Sequence, residues 1–119
     1  MNWIMTGAIS ALIAVAAGAF GAHALKERLS ENLLNAFEVG VRYQFYHALA
    51  LLLMGVLVQR MPGANTAAWC FLVGTILFSG SLYALALTGL KFFGPITPLG
   101  GVVLMAGWAM LAWSAYGQA

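Results

Sequence analysis

Two histidines and a few polar side chains interrupt the apolar runs of this chain. His23 and His47 follow or lie within such runs, and Gln44 and Tyr83 stand at comparable positions in neighbouring runs. An imidazole inside a membrane or a protein core can bind a metal or haem, carry a proton, or form hydrogen bonds. Two histidines fall short of the three or four ligands that zinc takes, and no spacing requires Glu27 or Glu38 to complete the set.

Motifs of catalytic chemistry are absent from the sequence. It contains no glycine-rich phosphate loop, nucleophile elbow, pair of catalytic carboxylates or HExxH helix. The single Cys70 cannot form an internal disulfide, and in an apolar helix it acts as a small hydrophobe. We therefore expect no catalytic residue, no bound metal and no cofactor.

The composition predicts that lipid is the main solvent of this protein. Of its 119 residues 63% are hydrophobic and only 7% charged, whereas soluble domains keep roughly a quarter of their residues charged. The charged residues lie mostly between the apolar runs. A net charge of +2, without a basic stripe, argues against a nucleic-acid partner.

Four apolar runs predict four membrane-spanning helices. A bilayer core needs about 20 apolar residues per helix, and the alternating pattern of barrel strands is missing. The prediction is a single all-α domain over residues 1–119, a polytopic four-helix bundle in the membrane. Its spans are expected at about residues 3–24, 43–60, 67–90 and 98–116.

The breaks between the runs carry signals of helix ends and turns. Ser30 is a predicted N-cap, and the helix it starts, at about residues 30–42, is expected to lie in the interface and to bend at Gly40. Pro62 to Asn65 has the composition of a turn, and Thr97 before Pro98 predicts another N-cap.

Basic residues predict the orientation. Lys26, Arg28, Arg42 and Lys91 fall on one side of the predicted spans, and Arg60 on the other. By the positive-inside rule, both termini of this inner-membrane protein are expected outside the cytoplasm.

Small and aromatic residues predict how the spans pack. Ser10, Ala14, Gly18 and Ala22 recur every fourth residue, a pattern that lets two helices approach closely. Aromatic residues near the ends of spans are expected at the membrane interface, where amphipathic rings prefer to lie. They are Trp3, Trp69, Trp113 and Tyr116.

The polar side chains are expected at one depth, in the inner leaflet, and facing the bundle. They are His23, Gln44, His47, Ser81, Tyr83 and Thr97. Polar groups are costly in hydrocarbon unless they face protein, water or a ligand. Such a layer is either a hydrogen-bonded contact between helices or a small binding site.

Four motifs in order resemble those of the DUF423 family of small bacterial inner-membrane proteins. They are residues 18–25 (GAFGAHAL), 43–50 (YQFYHALA), 77–83 (LFSGSLY) and 96–101 (ITPLGG), followed by Gly107-Trp108. The resemblance implies a four-helix membrane protein without an established activity. Its motifs fall on the polar layer and add Ser79 and Pro98 to it, while Glu38 and Arg42 lie outside them.

Three functional hypotheses remain at this point. The leading one is a non-enzymatic membrane protein that supports membrane integrity or binds a lipid or small amphiphile through the polar layer. The second is a transporter or channel component, which in so small a chain requires an oligomer. The third is a histidine-dependent metal or haem redox protein. Membrane lipids and a second copy of the chain are the expected partners.

Overall fold

The computed structural model describes residues 1–118, the last of them by its backbone alone, and in this range it is helical without strands. The elements are α1 (Trp3–Ala16), a π-helical segment (Ala17–Gly21), α2 (Ala22–Leu25), α3 (Glu31–Leu57), α4 (Gly63–Thr88), a 3-10 turn (Lys91–Phe93) and α5 (Ile96–Gln118). The first three join without a break, so the described chain forms four long helices. The predicted all-α, four-helix architecture is confirmed.

Side-chain caps mark the starts of two helices, and a glycine marks the end of a third. Asn2 accepts a hydrogen bond from the backbone N–H of Met5, and Ser30 accepts one from that of Leu33. Ser30 is thus the N-cap that the sequence predicts. Helix α4 ends at Gly89, whose φ of 71° lies in the left-handed region that favours glycine.

Three predicted boundaries differ from the structure. Helix α3 ends at Leu57, so residues 58–60 form a turn. Helix α4 already starts at Gly63, because Ala64 and Ala67 are fully buried and packing extends the helix into the predicted turn. Helix α5 starts at Ile96, which places Thr97 within its first turn and not at the N-cap.

The backbone irregularity lies in the first helix, at Ala17–Gly21, and was not predicted. Helix α3 runs unbroken through Gly40, the predicted bend. A Cβ atom at Gly40 would lie 2.9 Å from Cε1 of Tyr83. This glycine therefore makes room for a ring from α4.

The helices pack in chain order as a row, with α1 on α3, α3 on α4 and α4 on α5. Close backbone approach joins the first pair, because a Cβ at Gly7 would lie 2.7 Å from the carbonyl oxygen of Ala48. Ala14 is buried on the same face, and Gly18 faces Val41. The small-residue face of the first helix thus contacts α3.

Three helical segments are long and apolar enough to cross a membrane, at Trp3–Leu25, Gly63–Thr88 and Lys91–Gly117. Helix α3 is also long enough, but Arg42, Gln44 and His47 lower its hydropathy. The crossing by α3 stays a prediction, which its position between α1 and α4 supports. Helix α3 carries Gln44 and His47.

Trp3 is not the anchor at the membrane interface that the sequence predicted. It is only 2% exposed, donates a hydrogen bond from Nε1 to Oδ1 of Asn65 at 2.9 Å, and packs edge-on against Trp69. Trp113 and Tyr116, by contrast, are largely exposed. Trp3 is a core residue because it fills the space between α1 and the start of α4.

Candidate ligand-binding site

Gln44 connects three helices through its side-chain amide. Its Nε2 donates to the carbonyl oxygen of Ser10 in α1 at 2.9 Å, and its Oε1 accepts from the hydroxyl of Tyr83 in α4 at 2.6 Å. The side chain is 6% exposed. An amide has both a donor and an acceptor, and Gln44 uses one on each neighbouring helix.

Two small residues hold Tyr83 and α4 in place beside Gln44. The hydroxyl of the buried Ser79 donates to the carbonyl oxygen of Gly40 at 2.7 Å, which joins α4 to α3. Gly40 also leaves the space that the Tyr83 ring occupies. On its other side this ring contacts Phe37, with the ring centres 5.3 Å apart.

A cavity of about 250 Å³ opens beside this group, between α1, α3 and α4. We call it the Gln44 cavity; it is lined by Ser10, Gln44, Leu72, Thr75, Ile76, Ser79, Gly80 and Tyr83. A Cβ atom at Gly80 would meet nothing within 4 Å, so this wall is open. The Oγ1 atom of Thr75 is buried and has no hydrogen-bond partner.

The cavity offers hydrogen bonds without a charge. Gln44 keeps one N–H free, Thr75 can both donate and accept, and the Ser79 and Tyr83 oxygens can still accept. Leu72 and Ile76 supply apolar surface. The arrangement suits an uncharged hydroxyl, ester or other carbonyl group attached to an apolar body.

His47 belongs to a separate group on the side of α3 that faces α5. Its Nδ1 lies 2.7 Å from the carbonyl oxygen of Tyr43, and its Nε2 lies 3.1 Å from Nε1 of Trp108. An indole N–H can only donate, so Nε2 accepts and Nδ1 carries the proton. Phe71 and Trp108 pack around the imidazole, and we call this group the His47 cluster.

Ser81 and Thr97 form a third polar contact, between α4 and α5. Their hydroxyl oxygens are 2.5 Å apart, and Ser81 also donates to the carbonyl oxygen of Phe78 at 2.8 Å. Thr97 therefore donates to Ser81. The Thr97 hydroxyl, predicted to cap a helix, thus bonds to a neighbouring helix instead.

His23 does not join any of these groups. It lies in α2, is exposed, and takes part in none of the side-chain hydrogen bonds found within residues 1–118. The structure thus divides the predicted layer into the Gln44–Ser79–Tyr83 group, His47, and the Ser81–Thr97 contact, with His23 apart.

Some residues of these groups were missed by the sequence reasoning. Thr75 stands alone in an apolar run and Ser10 contributes only its backbone, so neither gives a signal in the sequence. Trp108 follows the fourth motif of the family resemblance, but a tryptophan in an apolar run gives no sign that it forms a hydrogen bond.

Within residues 1–118 no three His, Cys, Asp or Glu side chains lie close enough to hold a metal ion.

Comparison with known proteins identifies the family. The DUF423 family, described as proteins of unknown function, matches residues 17–101. The chain belongs to the DUF423 family. The matched range contains every predicted site residue from His23 to Thr97, whereas Ser10 and Trp108 lie outside it.

Relatives of this DUF423 protein are named as membrane proteins. A UPF0382 membrane protein of Staphylococcus aureus (strain bovine RF122 / ET3-1) is 47% identical over 110 residues, which cover 92% of this chain and 90% of the relative. The UPF0382 membrane protein YwdK of Bacillus subtilis (strain 168) is 44% identical over 112 residues, covering 92% and 91%. No solved structure matches the chain. The predicted family and its membrane location are confirmed.

Proposed function

We propose that this protein is a non-enzymatic membrane protein that binds a lipid or small amphiphile in the Gln44 cavity. The observation that carries the proposal is the unpartnered hydroxyl of Thr75. A buried polar group without a partner costs about 1–3 kcal/mol. A threonine in a helix can offset this cost by bonding to the carbonyl four residues back, but Thr75 makes no such bond.

The lining of the cavity supports an uncharged amphiphile. Gln44, Thr75 and Tyr83 line it together with the apolar side chains of Leu72 and Ile76. A ligand hydroxyl or ester carbonyl would bond to the free amide hydrogen of Gln44 and, after a rotation about χ1 of Thr75 turns its hydroxyl into the cavity, to Thr75 as well. Its apolar part would pass the open wall at Gly80 into the surrounding lipid.

The experiment fills the cavity with a side chain that the fold can accept. In Gly80→Leu the new side chain starts in open space, so the bundle should keep its thermal midpoint. Native mass spectrometry of protein extracted with its lipids should show a bound neutral amphiphile on the wild type. The fraction of protein that carries it should fall by more than half in the variant.

Gly117→Leu is the matched control, because a Cβ there also meets nothing within 4 Å and Gly117 lies outside the cavity. It should keep the amphiphile. If the wild type carries none, or if Gly80→Leu retains it as the control does, the proposed function is wrong.

The orientation is part of the proposal. Lys26, Arg28 and Lys91 lie at or beside the connections α2–α3 and α4–α5, which we place on the cytoplasmic side of the inner membrane. Both termini then lie outside the cytoplasm. Alkaline phosphatase fused to the C-terminus should be active, and activity of a cytoplasmic reporter at that point would contradict the orientation.

A further inference from the structure

A second groove lies between the first helix and α3, and it shares no lining residue with the Gln44 cavity. It consists of two adjoining cavities of about 350 and 330 Å³, which have Gly18, Val41 and Arg42 in common. Gly18 and Ala19 of the π-helical segment form part of its wall. Because these residues are small, the surface between the two helices is recessed there.

The chemistry of the groove changes along α3. One cavity is lined mainly by apolar side chains, among them Ala14, Val15 and Phe45. The other extends one turn towards the start of α3 and adds Glu38. Arg42 lies in both, at the junction of the apolar and the polar part. This order is that of a phospholipid, with an acyl chain followed by a charged headgroup.

Glu38 and Arg42 carry opposite charges and are not joined in an ion pair. They are four residues apart on α3 and both are exposed. Side chains at this spacing are neighbours and commonly pair, but within residues 1–118 they form no ion pair. A ligand with one negative and one positive group at a similar separation would match both.

We propose that this groove binds one phospholipid whose headgroup carries a primary ammonium, as phosphatidylethanolamine does. The phosphate accepts hydrogen bonds from the Arg42 guanidinium, which suits phosphate oxygens in geometry and charge. The ammonium donates to the Glu38 carboxylate, and one acyl chain lies along Gly18, Ala19 and Phe45.

Charge and hydrogen bonding together favour this headgroup over two others. A phosphatidylglycerol headgroup has a phosphate for Arg42 but no cation for Glu38, whose charge repels it. A phosphatidylcholine headgroup has a cation, but its quaternary ammonium has no hydrogen to donate to the carboxylate. Glu38 therefore distinguishes ethanolamine from both.

Delipidated wild-type protein in detergent is titrated with phosphatidylethanolamine, phosphatidylcholine or phosphatidylglycerol of identical acyl chains. Native mass spectrometry measures the affinity for each lipid. Phosphatidylethanolamine should bind about two- to tenfold more tightly than phosphatidylcholine, the range to which the net contribution of one hydrogen bond corresponds. Glu38→Leu, whose side chain has no hydrogen-bond acceptor, should remove this preference, and Arg42→Gln should weaken the binding of all three lipids.

Controls separate the groove from the rest of the surface. Glu27→Leu and Arg60→Gln remove exposed charges outside the groove and should keep the wild-type preference. Ala19→Leu should block the acyl chain, whereas Ala16→Leu, exposed and outside the groove, should not. Unchanged thermal midpoints show that the variants are folded.

Two results would overturn the inference: equal binding of phosphatidylethanolamine and phosphatidylcholine by the wild type, or a preference that survives Glu38→Leu. The test is independent of the Gln44 cavity. Gly80→Leu should keep the headgroup preference even though it removes the amphiphile of that cavity, so failure of either proposal is recognised separately.

Discussion

Gln44 and His47 are three residues apart on α3, yet their surroundings differ in what they leave unsatisfied. At His47 both ring nitrogens have partners, and aromatic rings pack around the imidazole. Beside Gln44 there is a cavity, an open wall at Gly80 and a buried hydroxyl without a partner. Polarity within a membrane bundle therefore does not identify a site; spare hydrogen-bonding capacity beside free space does.

The difference follows from which neighbours the two side chains meet. Successive positions on a helix turn by about 100°, so residues three apart point in directions about 60° apart. Gln44 meets α1 and α4, which do not pack closely together at this level, while His47 meets the tightly packed α4–α5 pair. The redox hypothesis gains no support here, since a metal at His47 would have to displace Tyr43 or Trp108.

The largest effect is expected from His47→Leu, which breaks the satisfied cluster. Leucine fills much of the space but leaves the Trp108 N–H without an acceptor. Trp108 is partly exposed, but α5 is apolar enough to cross a membrane, and an N–H left without an acceptor in an apolar environment costs about 1–3 kcal/mol. Thermal unfolding in detergent should show a clear drop in the midpoint, while the folded fraction should keep its bound amphiphile. Unchanged stability would show that the cluster is not the tight contact described.

A smaller loss of stability is expected from Gln44→Leu, together with a full loss of the ligand. Two hydrogen bonds between helices disappear, each worth about 0.6 kcal/mol in membrane proteins. The Ser10 carbonyl can still accept within its helix, and the Tyr83 hydroxyl borders a cavity large enough for a water molecule to replace the lost acceptor. If this variant unfolds more readily than His47→Leu, the contrast between an open and a closed region is wrong.

The sequence predicted the helices better than the groups between them. Long apolar runs and the Ser30 cap are local features, and they predicted four helices with ends displaced by a few residues. Which way Gln44 and His47 point depends on the rotation of α3 against three neighbours, and no local signal encodes it. Thr75 was missed for the same reason, because its hydroxyl matters only through the space beside it.

Thr75→Val tests the unused hydrogen-bonding capacity beside the cavity. Unlike the two substitutions above, it should not lower the stability of the protein. Valine keeps the shape but removes the unpartnered hydroxyl, so ligand-free protein should gain up to about 1 kcal/mol of stability or remain unchanged. Retention of the amphiphile should fall. Thr6→Val, at an exposed hydroxyl that bonds to the Asn2 carbonyl, is the control and should keep the ligand. A loss of stability in Thr75→Val would mean that this hydroxyl already has a partner.

The smallest effect is expected from His47→Gln, which asks whether the imidazole itself has a function. The glutamine amide, like the neutral imidazole, has one acceptor for the Trp108 N–H and a donor, although it cannot match both positions of the ring nitrogens. The loss of one good contact corresponds to about 0.6 kcal/mol. Because His47 lies outside the Gln44 cavity, the variant should bind the amphiphile as the wild type does. Thermal unfolding and native mass spectrometry on the same preparation measure both quantities. If His47→Gln is as stable as expected but loses the amphiphile, the imidazole takes part in binding and the two regions form one site.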